Sequence, residues 1–146
     1  MMKIRIVWPG RTRERYLTEG IDHYLKLLGR FARVSVVEVR EERGKSREDA
    51  LAAEGSRIIR QTQSFVLLDE KGDELTSPGF ASLLGERPAV DFVLGGPFGV
   101  SREVRDRADT ILALSRMTLT HEMARLVLLE QLYRAFTIQK GMEYHH

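Results

Sequence analysis

The sequence predicts a single α/β domain over residues 1–146, with a mainly parallel sheet and helices on both faces. Three observations predict it. Short apolar runs suited to strands alternate with helical patterns from end to end, as repeated βα units require. No internal repeat, low-complexity tract or Pro/Gly-rich linker interrupts that alternation. The length is that of one domain, enough to bury roughly two-thirds of the unfolded surface. Strand order is not legible in one sequence.

Ile4-Arg5-Ile6-Val7-Trp8 reads as the first strand, ended by Pro9-Gly10. A helix follows, with Leu17, Ile21, Tyr24, Leu25 and Leu28 on one face and Gly29 at its close. Val34–Val39 is the second strand, and Arg40–Lys45 is a mixed-charge loop. Ser46 with Asp49 marks the next helix start, and that helix runs to about Gln61 with Gly55 weakening its middle. Ser64–Leu68 is the third strand, Asp69–Asp73 a polar turn, and Ser77-Pro78 the start of a short helix.

Asp91–Leu94 is a buried strand that breaks into Gly95-Gly96-Pro97-Phe98-Gly99, and Ser101 caps a helix with Glu103 in its first turn. Thr110–Leu114 is the fifth strand and His121–Gln139 the last helix, with Gly141 just beyond. That helix is apolar nearly all round, from Met123 to Ile138, and must be buried nearly all round. In so small a chain, part of that surface is expected to meet a second subunit, giving a homodimer.

Composition excludes several classes. The formal charge is +2 although the pI is about 9.1, so attraction to nucleic acid must come from local clusters. Absence of cysteine removes thiol nucleophiles, disulfides and cysteine-bound zinc together. The N-terminus lacks the apolar core of a signal peptide, and no run is long enough to span a membrane. A cytoplasmic protein is expected.

The glycine loop lies where open α/β sheets bind ligands, at the carboxyl ends of strands. It is neither a dinucleotide G-x-G-x-x-G nor a P-loop, because the lysine is missing. Gly96-x-x-Gly99 matches the clamp of KH RNA-binding domains, but a tight turn requiring positive φ is the better account of two glycines three apart. His121-Glu122-Met123-Ala124-Arg125 begins like the zinc-protease motif, yet Arg125 stands where the second histidine must be, so no metal site is expected. His145-His146 alone fits a substrate contact, a metal-binding pair or a tag remnant. Arginines cluster at Arg11, Arg13 and Arg15, and again around Arg43, Lys45 and Arg47. No nucleophile elbow supports hydrolase chemistry.

Four segments in order carry a resemblance across essentially the whole chain. They are Val93-Leu94-Gly95-Gly96-Pro97-Phe98-Gly99-Val100-Ser101, Leu114-Ser115-Arg116-Met117-Thr118-Leu119-Thr120-His121, Leu132-Tyr133-Arg134-Ala135-Phe136 and Tyr144-His145. Together they closely resemble the RlmH family, the pseudouridine N3-methyltransferases of bacterial large-subunit ribosomal RNA, in the SPOUT class. The resemblance implies a deep trefoil knot over approximately residues 64–146, a homodimer, and S-adenosylmethionine as cofactor. It implies methyl transfer to N3 of a pseudouridine on the assembled ribosome.

By matching positions, the cofactor pocket would comprise Leu68, Gly95, and Leu114, Ser115, Arg116, Met117, Thr118 and Leu119. His121 and Arg134 would serve the chemistry, and Tyr144, His145 and His146, with Arg43 and Lys45, would meet the RNA. One departure is that a basic residue often follows the Tyr-His pair, whereas here His146 stands and the chain ends. The alternative function is a non-catalytic RNA-binding module built on Gly96-x-x-Gly99 and the arginine clusters.

Overall fold

The computed structural model describes residues 1–146. Five strands form one sheet: β1 (Met2–Pro9), β2 (Ala32–Val39), β3 (Val66–Glu74), β4 (Ala89–Leu94) and β5 (Thr110–Ala113). Helices α1 (Arg15–Leu28), α2 (Arg47–Gln61), α3 (Ser77–Leu84), α4 (Arg102–Arg107) and α5 (His121–Gln139) alternate with them. The strand order is β2-β1-β4-β3-β5 and every pairing is parallel. Each helix carries the chain back to the same edge, which is what parallel pairing requires.

Side-chain alternation sorts the core into two layers. Ile4, Ile6 and Trp8 of β1, Val66 and Leu68 of β3, and Phe92 and Leu94 of β4 pack with residues of α1, α3 and α5. Val7, Leu67 and Val93, one residue out of step, meet Ile58 of α2 and Val104 of α4 on the opposite face. The near-continuous apolar runs of the strands are therefore those of a sheet covered on both sides.

Helix starts are set locally, with one exception. Hydroxyls of Ser46, Thr76, Ser101 and Thr120 accept the N–H three residues on, at 3.2, 3.1, 3.3 and 3.2 Å. Helix α1 has no side-chain cap of its own. Instead Glu122 Oε1, from α5, accepts the N–H groups of Arg13 and Glu14 at 2.9 and 3.0 Å. Gly55, poor for helix propensity, faces the Ser101 side chain at the start of α4 so closely that a Cβ has no room.

Two expectations change. Asp69–Asp73, read as a turn, belongs to β3, which breaks register between Leu68 and Asp73 so that both pair with Leu112. A bulge of this kind hides a strand behind polar residues. Helix α5 packs against both α1 and α3, and no residue from His121 to Ile138 is exposed within the single chain. Its apolarity is thus largely accounted for internally, and only half-buried positions such as Met123 and Val127 are left to meet a second subunit.

The chain passes from β3 to β4 on one side, then back across β3 to β5 on the other. Divergence of this kind opens a crevice at the carboxyl ends of the strands.

Candidate active site

A cavity of about 430 Å³ lies in that crevice, within the range that holds a small ligand or cofactor. Leu68 of β3 and Leu94 of β4 form its floor, with the Gly95–Val100 loop on one side. Leu114, Ser115, Met117, Thr118 and Leu119, following β5, form the other, and His121 and Ala124 enter from the first turn of α5. Of the residues expected at the cofactor site, only Arg116 turns away. Its Nε donates to Glu74 at 2.8 Å and its guanidinium to the Glu70 carbonyl at 3.0 Å, fastening the loop to the end of β3.

The two outer glycines of the first loop serve different needs. Gly99 has φ +81° with open space around it, so only its backbone conformation favours glycine. Its N–H donates to the Gly96 carbonyl at 3.0 Å and closes a tight turn. At Gly95 the constraint is space: an added Cβ would lie 2.5 Å from the Gly99 carbonyl carbon and oxygen. Gly95 lines the cavity as expected of a pocket residue, and the atoms nearest an added Cβ belong to its own loop.

One rim of the cavity is charged, and no sequence motif announces it. Asp69 accepts from the Arg105 guanidinium at 2.9 and 3.4 Å and from the Lys71 N–H at 2.9 Å. Burial pushes its carboxyl up, but these donors hold it below the usual carboxylate range. Glu70 accepts from the Thr118 hydroxyl, joining the bulge of β3 to the loop after β5. Asp69 and Arg105 were missed because one sits in the bulge of β3 and the other in a short helix whose charges look like solvated surface.

His121 is about a quarter exposed, with Nε2 3.9 Å from Glu122 Oε2. Burial, and then the nearby Arg125 charge, hold its imidazole below the ordinary histidine value of 6.5, with Glu122 opposing them. It is therefore mainly neutral at pH 7. Arg125 is fully buried. It donates to the Pro9 carbonyl at 2.8 Å and the Thr12 hydroxyl at 2.9 Å, and lies 4.6 Å over the Trp8 ring. Burial pushes its pKa down to about 10. The H-E-x-x-R turn is thus a bracket on the β1–α1 loop, and no group of three or more His, Cys, Asp and Glu side chains is placed to hold a metal ion.

Arg134 is not in the cavity. At 1.5 Å per residue it lies about 20 Å from His121 along α5. Its guanidinium contacts His145 Nδ1 at 3.1 Å, donates to Glu130 at 3.0 Å, and sits 4.8 Å over the Tyr144 ring. The Tyr144 hydroxyl donates to Glu130 at 2.9 Å and meets the Tyr24 hydroxyl at 3.1 Å. Burial, then these partners, raise its pKa. Arg134, Tyr144 and His145 therefore form a second cluster, and His146 is exposed beside it. Arg43 and Lys45 lie apart from both, on an exposed loop, paired with Glu41 at 3.4 Å and Glu42 at 3.7 Å. No helix is long and apolar enough to cross a membrane.

Known proteins share this sequence and architecture. The family model described as "Predicted SPOUT methyltransferase" matches residues 2–145. Ribosomal RNA large subunit methyltransferase H of Geobacter sulfurreducens is 44% identical, over 99% of this chain and all of its own length. The protein of the same name from Thermodesulfovibrio yellowstonii is 42% identical over the full length of both. A tRNA (m1G37) methyltransferase structure from Aquifex aeolicus superposes with a TM-score of 0.55 at 14% identity, over 91% of this chain and 69% of that one. The last match speaks to the fold alone. By sequence, over its whole length, the chain belongs to the SPOUT methyltransferase family, in the group of ribosomal RNA large subunit methyltransferase H.

Proposed function

We propose that the chain transfers a methyl group from S-adenosylmethionine to N3 of a pseudouridine in large-subunit ribosomal RNA, on the assembled ribosome. One observation carries this reading: in a chain of this family, two strand-end loops and a neutral histidine converge on a single cavity. The cavity's chemistry fits the cofactor. Leu68, Leu94, Leu114 and Leu119 suit an adenine ring and a thioether, while Asp69 and Glu70 offer carboxylate oxygens to hydroxyl or ammonium groups. When bound, the cofactor supplies a methyl already activated on a sulfonium.

The protein's own residues must then position the base and manage a proton. Holding N3 in near-attack geometry is worth about 7–11 kcal/mol in favourable cases. N3 loses its proton as it gains the methyl, and neutral His121 is the acceptor at the cavity wall. General-base help of this kind contributes a factor of about 10²–10⁴. The Glu122 carboxylate, 3.9 Å away, favours the imidazolium that forms.

Arg134 lies too far along α5, and Tyr144 and His145 are packed against it, so none of the three reaches its own chain's cavity. In our reading a second protomer brings its tail to the first one's cavity. There Arg134 stabilises charge on the uracil oxygens, Tyr144 stacks, and His145 and His146 hydrogen-bond the RNA. Half-buried Met123 and Val127 of α5 offer apolar surface for that contact. Arg43 and Lys45 extend the RNA-facing surface. The knot over residues 64–146 belongs to the same reading, and the order β4-β3-β5 is compatible with it. A cytoplasmic location belongs to the same reading, because the substrate is the ribosome.

Titration calorimetry with S-adenosylhomocysteine, together with methyl transfer to free rRNA, isolated subunits and whole ribosomes, tests the proposal. Cofactor binding and transfer to whole ribosomes are expected; no binding at any reachable concentration overturns it. A bare RNA-binding module would instead show salt-sensitive RNA binding indifferent to the cofactor, and would leave the cavity without a use.

A further inference from the structure

Phe98 is an anomaly in the fold. It sits at the tip of the Gly96–Gly99 turn with 59% of its surface exposed, and no other aromatic ring packs on it. Exposing a large aromatic forfeits the burial that stabilises folded chains. One face is nonetheless covered: the Arg47 guanidinium lies 3.8 Å from the ring centroid. Arg47 is the first residue of α2 and forms no ion pair, unlike Arg43 and Lys45, whose charges are engaged by Glu41 and Glu42.

The ring also divides two hollows. It lines the main cavity, and it lines a second one of about 290 Å³ that contains Arg47. Arg47 lines only the second, so the guanidinium covers that side and leaves the ring's other side toward the main cavity. Across the mouth of the main cavity, Met117 is 80% exposed. Two of the chain's few exposed large hydrophobic residues thus flank one opening.

An exposed ring backed by a guanidinium is the surface on which unstacked nucleobases settle, because every base has a π face. A base-modifying enzyme must take its target out of the stack, which leaves bases at the mouth needing a partner. We infer that Phe98 is a substrate-stacking residue. A nucleobase of the substrate strand stacks on its open face while the target enters the cavity, and Arg47 orders the ring from behind and offers its unpaired N–H groups to that strand's phosphate. This inference rests on the proposed RNA methyltransferase function.

The test uses the full-length chain with Phe98→Leu, Phe98→Tyr and Arg47→Gln. Readouts are S-adenosylhomocysteine affinity, melting temperature, KM for ribosomes lacking the modification, and co-sedimentation with those ribosomes across a salt series. Phe98→Leu should raise KM and weaken co-sedimentation about 5- to 100-fold, with cofactor affinity and melting temperature unchanged. Phe98→Tyr should restore most of the loss. Arg47→Gln should also weaken ribosome binding and lower its log–log salt slope by about 0.7–0.9.

Wild-type ribosome affinity in Phe98→Leu overturns the inference, as does a Tyr variant no better than Leu. Loss of cofactor affinity in Phe98→Leu overturns it too, by assigning the ring to the methyl donor. Failure of the unsubstituted chain to bind cofactor or methylate ribosomes counts against the methyltransferase reading instead, and co-sedimentation still decides the stacking role.

Discussion

Replacing Gly95 by alanine is expected to damage both the fold and the cavity. The added Cβ would lie 2.5 Å from the Gly99 carbonyl carbon and oxygen, and 2.8 Å from its Cα. Ordinary contact begins near 3.4 Å, so the two sides of the loop must part by about 1 Å in a close-packed region. Every atom struck is backbone, tied by the Gly99 N–H bond to Gly96, so no side chain can swing aside. Overpacking of this kind costs about 1–3 kcal/mol, which lowers the melting temperature of a domain this size by roughly 2–12 °C. Because the loop is a cavity wall, S-adenosylhomocysteine affinity should fall about tenfold, a loss of about 1.4 kcal/mol.

Gly99 should fail for a different reason. Its φ is +81° with nothing within 4 Å of an added Cβ, so a side chain fits in space but strains the backbone by about 1–2 kcal/mol. Asparagine enters the left-handed region more readily than alanine. Gly99→Asn should therefore recover part of what Gly99→Ala loses, whereas Gly95→Asn should be no better than Gly95→Ala. Circular dichroism melts and calorimetric titrations read both series. A Gly95→Ala variant that melts and binds like the wild type refutes the crowding account; identical behaviour of Gly99→Asn and Gly99→Ala refutes the conformational one.

Two further outcomes depend on protonation. A base whose pKa lies below 6.5 stays neutral as pH falls through 6.5. The acid limb of kcat/KM should therefore fall below that pH, and His121→Asn should abolish the limb and lower kcat by about 10²–10⁴; a limb at or above 6.5 in the wild type rejects His121 as base. Glu54 is 7% exposed and accepts the Glu42 N–H at 3.0 Å, yet burial raises its carboxyl pKa despite that bond. The folded protein then holds this proton more tightly than the unfolded chain, so stability is lost as pH rises through the raised value. Glu54→Gln keeps an acceptor oxygen without titrating. It should melt above the wild type at pH 8, with the gap closing toward pH 4, and the opposite trend in melting scans refutes this.

What the sequence made legible was local or periodic. Ser46, Ser101 and the glycine turn announce themselves because their partners lie within three residues. The two-faced sheet shows in strands such as Ile6-Val7-Trp8, which are apolar at successive positions. What it hid depends on distant partners. β3 runs on past Leu68 because β5 accepts its bulged continuation, and nothing in Asp69–Glu74 looks like a strand. Gly72 is fixed there by Ile111, whose backbone carbon and oxygen would lie 2.6 Å from a Cβ. The cavity-lining residues were legible through the resemblance, while Asp69 and Arg105, known only by where folding puts them, were not.

The start of α5 shows why such placement is chemical as well as structural. Near its N-terminus, Glu122 and Arg125 are both buried, and burying charge seldom adds net stability. Each reaches across the chain. Glu122 holds the start of α1 across 108 residues, and Arg125 holds the Pro9 carbonyl across 116. Together they fasten the turn that carries His121 to the end of β1 and the loop after it; β1 pairs with β4, from which the glycine loop departs. His121 and the opposite cavity wall are therefore referred to one rigid frame. Buried charges serving only stability would be replaceable by apolar residues of equal volume, but here such a replacement would also release the position of the proposed base.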